Sequence, residues 1–297
     1  MINSLAVAAK FFGVIMVELI LLFVGISFLV GLIQEYVPES TIKKILTSKR
    51  GQGNILGAGL GALTPFCSCS TIPITVGLLN AGAPFGAAMS FLLASPLLNP
   101  VIIGMFLAFL GWRVTLIYAL ITFTLAVLMG ILWERFGLAN FVRRVIVKST
   151  PALNTGDSDL KSRLKRAFWG SLSLLRGVFP YLLLGVAIGA FIYGFVPADW
   201  ITRLAGPQNP LAIPVAAVIG IPLYIRVETM IPLGMVLLQK GMSLGAVMAL
   251  IIGGAGASIP ELSMLASIFK PRLLAAFVVT ILMVAVFAGY AYNIFLG

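Results

Sequence analysis

Long apolar runs alternate with short polar ones along the chain. A helix that crosses a bilayer takes about 20 mostly apolar residues at ~1.5 Å each. Residues 11–33 form the first such run, with one acid, Glu18, inside it. That run is too long and too poorly flanked for a cleaved signal peptide. Residues 114–133, 172–195 and 273–296 are further runs. Four others are interrupted: 54–80 by Thr64-Pro65-Phe66-Cys67-Ser68-Cys69-Ser70-Thr71-Ile72-Pro73, 84–110 by Ser95-Pro96-Leu97-Leu98-Asn99-Pro100, 211–238 by the segment from Tyr224 to Pro232, and 242–269 around Ser258-Ile259-Pro260-Glu261. The pattern predicts an all-α, polytopic helical membrane protein with broken helices.

The pattern also repeats. A shift of 159 residues brings Val37-Pro38 onto Val196-Pro197, Gly61 onto Gly220 and Ile72-Pro73 onto Ile231-Pro232. It brings Leu78-Leu79 onto Leu237-Leu238, Gly82 onto Gly241 and Arg113 onto Arg272. Residues 1–133 are then a first repeat, 134–169 a polar linker and 170–297 a second repeat. Matching interrupted segments in two halves point to a transporter binding site.

Charge sets the expected orientation. If every run crossed fully, loop 34–53 and the linker would face opposite sides and divide the two largest basic clusters. If 54–80 and 211–238 each enter and leave by one side, Lys43, Lys44, Lys49, Arg50, the linker bases, Lys270 and Arg272 all face the cytoplasm. Each half then crosses an odd number of times, so the halves are inverted-topology repeats, each with a broken or re-entrant hairpin.

Composition narrows the function. The chain has 297 residues and is 60% hydrophobic and only 10% charged, with mean hydropathy +1.11. A soluble domain carries roughly 25% charge, so a soluble enzyme is excluded. With 20 Lys and Arg, 9 Asp and Glu and no His, imidazole metal ligands and a Ser-His-Asp triad are excluded too. The glycine-rich segments lack a preceding strand and an acidic ribose ligand, so no nucleotide site is expected. Gly53, Gly57 and Gly61 recur every four residues, as on a close-packing helix face. No cofactor is implied, nothing suggests nucleic-acid binding, and the basic linker suits anionic lipid headgroups.

Candidate chemistry gathers at the breaks. Cys67 and Cys69 are the chain's two cysteines. They stand too close in sequence for an unstrained disulfide. Paired thiolates suit soft, thiophilic ions such as Cu(I), Zn(II) or trivalent arsenic, with Ser68, Ser70 and Thr71 adding hydroxyls. The plain alternative is that both are small buried hydrophobes. At the 159 offset Cys67 maps onto Arg226 and Cys69 onto Glu228, beside Thr229 and Met230. Intramembrane charges are costly and functional by default, although Arg226 and Glu228 can instead pair and hold their hairpin together. The second pair of breaks contributes Asn99 and Glu261. Glu261 and, less centrally, Glu18 are candidates for coupling ion movement. Met230, Met235 and Met264 can offer thioethers or simply pack.

The motifs from Thr64 to Ile74 and from Ser95 to Pro100 resemble the bacterial predicted-permease family of the ArsP/YraQ type, and the likeness runs from the first span to the last. The resemblance implies an inner-membrane, multi-pass permease. It carries the family's cysteine motif onto Cys67 and Cys69, and it suggests efflux of trivalent organoarsenicals or soft metals. A methylated trivalent arsenic has two exchangeable bonds, which two thiolates satisfy; free arsenite prefers three. The expected function is alternating-access movement of a small thiophilic solute through a midplane site of Cys67 and Cys69 facing Arg226 and Glu228. The competing readings are a membrane thiol-redox enzyme, a small-anion or sulfur-compound permease, and a subunit of a larger assembly. The expected partners are a small-molecule or metalloid substrate, membrane lipid and, as an open case, a second copy of the chain.

Overall fold

The described residues of the apolar runs are almost all helical in the structure, a computed structural model. It describes residues 52–64, 68–143, 160–195, 211–222, 227–239 and 241–296, with scattered positions between 12 and 32. At 68–70 and 227–229 it describes the backbone alone. The helices are α1 Gln52–Leu63, α2 Ser68–Asn80, α3 Phe85–Leu97, α4 Pro100–Arg135, α5 Leu160–Phe195, α6 Ala212–Gly220, α7 Val227–Gln239, α8 Leu244–Gly256, α9 Ile259–Ile268 and α10 Pro271–Leu296. Gly111 divides α4 into α4a (100–110) and α4b (112–135), because its φ of +80° and ψ of 170° leave helical space. Among the described residues the one extended pairing is an isolated bridge between Val142 and Phe269.

Element boundaries repeat at the same 159-residue shift. It carries α2 onto α7, α3 onto α8, and the start of α4a onto the start of α9. The sequence matches at Leu78-Leu79 and Gly82 acquire a physical meaning. Gly82, at φ +76°, donates its N–H to the Leu79 carbonyl and Ala83 donates to Leu78. Gly241, at φ +92°, donates to Leu238 and Met242 to Leu237. Both are left-handed C-caps with crossed hydrogen bonds, which favour glycine.

Close backbone approaches fix the helix directions. A Cβ on Gly61 would lie 2.8 Å from the Phe91 carbonyl oxygen and 3.0 Å from the Ser95 nitrogen. A Cβ on Gly57 would collide with the Ala87 carbonyl. Moving along α1 therefore means moving the same way along α3, so the two helices run parallel, and α2 must return the chain between them. The second half matches, with Gly220 against Leu250 and Gly254.

α3 and α4b run antiparallel, since Gly86 meets Gly130 and the Leu97 carbonyl meets Tyr118. The equivalent helices α4b and α10 are also antiparallel. Tyr292, near the end of α10, donates to the Val114 carbonyl at the start of α4b, at 2.8 Å. Trp133, near the end of α4b, packs edge-on against Phe277 near the start of α10, with centroids 6.4 Å apart. Two described helices, Pro100–Arg135 and Pro271–Phe295, are long and apolar enough to cross a bilayer, and α8 with α9 forms a third such unit bent by 40°.

The breaks are narrower than the sequence suggests. Helix resumes at Ser68 and passes through Pro73. Proline removes one intrahelical bond, here to the Cys69 carbonyl. The hydroxyl of Thr75 donates to the Thr71 carbonyl one turn away, at 2.8 Å. Likewise α3 runs through Pro96 to Leu97 and opens only at Leu98–Asn99. The polar stretch is shorter as well, because α4b reaches Arg135 and α5 begins at Leu160. Its first residues, just after α4b, turn onto the end of α9. Arg143 donates its N–H to the Ile268 carbonyl at 2.7 Å, and Lys270 donates to Phe141 at 2.8 Å. The side chains of Lys270 and Arg272 lie over the Phe141 ring.

Candidate functional site

The two halves interlock at their breaks. α2 packs on α9, and α7 packs on α4, so each returning helix leans on the other half's chain. Between them α3 meets α8. A Cβ on Gly256 would sit 3.3 Å from the Leu97 side chain. Leu97 and Gly256 are counterparts at the 159 shift.

Around this point the breaks expose backbone polar groups. The side-chain oxygen of Asn99 accepts from the Val101 N–H at 2.9 Å and caps α4a, which commits part of the Asn99 amide to structure. Ser258 stands at the matching position before α9. Glu261 lies in the first turn of α9 and is 0% exposed. Thr64 and Ser95, one from each motif quoted above, approach to 3.3 Å between their hydroxyl oxygens. Thr71 is fully buried on α2.

Several expected site residues receive only partial description. Glu18, Cys67 and Arg226 lie outside the described residues. Ser68, Cys69 and Ser70 form the first turn of α2, and Val227, Glu228 and Thr229 the first turn of α7. Cys69 therefore belongs to a helix start rather than to an irregular loop. Pro73 and Pro232 occupy the same place in the two helices and release the carbonyls of Cys69 and Glu228 from intrahelical bonding. Met230 is 1% exposed, and its terminal methyl would lie 2.6 Å from a Cβ on Gly254. It is a packing knob in the α7–α8 contact. Sequence reasoning missed Tyr118 and Tyr292, whose hydroxyls satisfy backbone carbonyls inside apolar helices. Two tyrosines within otherwise apolar spans were the available signal, since a buried hydroxyl requires a partner.

Long apolar helices, with a third unit bent at its break and shorter helices packed from one half onto the other, mark a polytopic helical membrane protein. The comparisons agree on that class. The chain belongs to the ArsP-type family of predicted permeases, whose model matches residues 4–294. It is similar to the UPF0718 protein YcgR of Bacillus subtilis, 26% identical over 264 residues and 87% of each chain. It is similar to a putative two-component membrane permease complex subunit of Streptococcus mutans, 25% identical over 92% of this chain and 90% of that one. It is also similar to the UPF0718 protein YraQ of Escherichia coli, 27% identical over 82% of this chain and 68% of that one. No solved structure matches it.

Proposed function

We propose that the protein is an inner-membrane permease moving a small thiophilic solute, of the trivalent organoarsenical or soft-metal class, by alternating access. The halves act as inverted repeats. The antiparallel course of α4b and α10, helices related by the 159 shift, supports that reading. The observation that carries the function is the interlock of α2 with α9 and of α7 with α4 around the touching breaks. A solute held there would contact both halves at once, as rocking one against the other requires.

Cys67 and Cys69 would bind the solute through sulfur. Arg226 and Glu228 would face it from the α7 side with Thr229, and Ser68, Ser70 and Thr71 would line the α2 side. Glu261, buried in the first turn of α9, would carry the coupling proton or cation. The Streptococcus mutans relative is named as part of a two-component complex, so reconstitution of this chain alone also tests whether one subunit suffices. The test is uptake of a trivalent methylarsenical into everted vesicles, read as arsenic retained. The double variant Cys67→Ser, Cys69→Ser is expected to reduce uptake to the level of empty vesicles. Unchanged uptake removes the thiols from the mechanism.

A further inference from the structure

The two breaks are built from equivalent elements but are anchored differently. At the first, Tyr118 on α4b holds both arms. Its hydroxyl donates to the Leu97 carbonyl at 2.8 Å, one of the end carbonyls that α3 cannot satisfy internally. Its ring packs edge-on against Phe106 of α4a, with centroids 4.6 Å apart. At the far end of α4a, Gly111 has φ +80° and room for a Cβ, and its carbonyl accepts from the Thr115 hydroxyl at 2.9 Å.

The second half reverses this. The residue at the place of Tyr118 is Phe277, fully buried and without a donor. The counterpart of Leu97 is Gly256, preceded by Gly253 and Gly254 where α3 has Ala94 and Ser95. Those glycines admit α6 and Met230 at close range, and they also make the end of α8 easier to unwind. The far end of α9 is instead tied down. Val142 pairs with Phe269, Arg143 donates to Ile268, and Lys270 donates to Phe141. Thus the first break carries a side-chain clamp from α4b that Phe277 does not supply at the second, while the far end of α9 is stapled to 141–143.

We propose that the second break is the working hinge of the protein and the first is its rigid counterpart. α9 swings about its stapled end at Ile268–Lys270 and carries Ser258 and Glu261 with it. Tyr118 is a positioning residue that keeps Leu97 and α4a stationary against this motion. The inference rests on the permease reading for its purpose, but its physical content is a difference in local opening between two equivalent segments.

Hydrogen–deuterium exchange on the full-length protein in detergent reads that difference without any substrate. Amides in 257–262 are expected to exchange at least about fivefold faster than those in 98–103, the order set by one net buried hydrogen bond. Tyr118→Phe removes a single oxygen. It should accelerate exchange in 98–103 by about fivefold and leave 257–262 unchanged. Phe277→Tyr supplies the missing donor and should slow 257–262. Equal exchange at the two breaks in the native protein overturns the proposal. So does a folded Tyr118→Phe variant with 98–103 unaltered, or a folded Phe277→Tyr variant with 257–262 as fast as before. A failure of the arsenical uptake test leaves these outcomes untouched, so the two readings fall separately.

Discussion

Gly57→Ala adds one methyl group at the point where α1 lies on α3. That methyl would collide with the Ala87 carbonyl oxygen and sit 3.0 Å from its carbonyl carbon and 3.3 Å from its Cα. Every one of these neighbours is backbone, so no side chain can swing aside. α1 must move off α3 by on the order of 1 Å, and overpacking of this kind costs about 1–3 kcal/mol. Gly59→Ala is the control two residues along, where an added Cβ meets nothing within 4 Å. There the glycine-to-alanine gain in helix propensity, up to about 1 kcal/mol, is unopposed. The two substitutions are chemically identical and differ only in the face they occupy. At about 2–4 °C per kcal/mol for a chain of this order of size, Gly57→Ala should lower the melting midpoint of the detergent-solubilised protein by several degrees. Gly59→Ala should leave it unchanged or raise it slightly. Tryptophan-fluorescence melting on both variants checks this. Equal shifts, or a stabilised Gly57→Ala, would refute the close seating of α1 on α3, on which the expectation of a re-entrant 52–80 depends.

Three further outcomes are expected. Arg113 and Arg272 are counterparts at the 159 shift and both are exposed. In a background with Cys67 and Cys69 changed to serine, Arg113→Cys and Arg272→Cys should label with an impermeant maleimide from opposite sides of the membrane; labelling from the same side would sink the inverted arrangement. Tyr292→Phe leaves the Val114 carbonyl without its buried donor and should destabilise the protein by about 1–3 kcal/mol, measured by the same melting experiment, and a null effect would argue against the α4b–α10 pairing. Glu261→Gln keeps shape and burial but removes the ionisable group. It should leave the melting midpoint within a few degrees while abolishing the dependence of arsenical uptake on an imposed pH gradient, and a retained dependence would move coupling elsewhere.

The class of fold was legible because bilayer length and apolar run length are tied by simple geometry, and the breaks were legible because Pro, Gly and Asn mark where helical backbone fails. The repeat was legible for a related reason. Leu78-Leu79 with Gly82, and Leu237-Leu238 with Gly241, are the same C-cap written twice, and a left-handed cap restricts its residue. The candidate chemistry was legible only as an inventory. Cys67, Cys69, Arg226, Glu228 and Glu261 stand out because lipid rejects polar groups or because a residue type is rare, and neither signal says what they face. Asn99 and Met230 illustrate the limit. One caps α4a and the other packs on Gly254, roles that sequence alone could not separate from ligand binding.

By itself, then, the sequence determined the helical membrane class, the positions of the interruptions and the residues unsuited to lipid. These are local properties, set by transfer free energy and backbone stereochemistry within a few residues. Only the tertiary structure decided that α1 and α3 run parallel with α2 returning between them. Only it decided that α4b and α10 oppose each other, that each returning helix leans on the other half, and that Tyr118 clamps one break while Phe277 leaves the other loose. Those outcomes depend on which surfaces meet across long stretches of chain, and no short-range pattern encodes them.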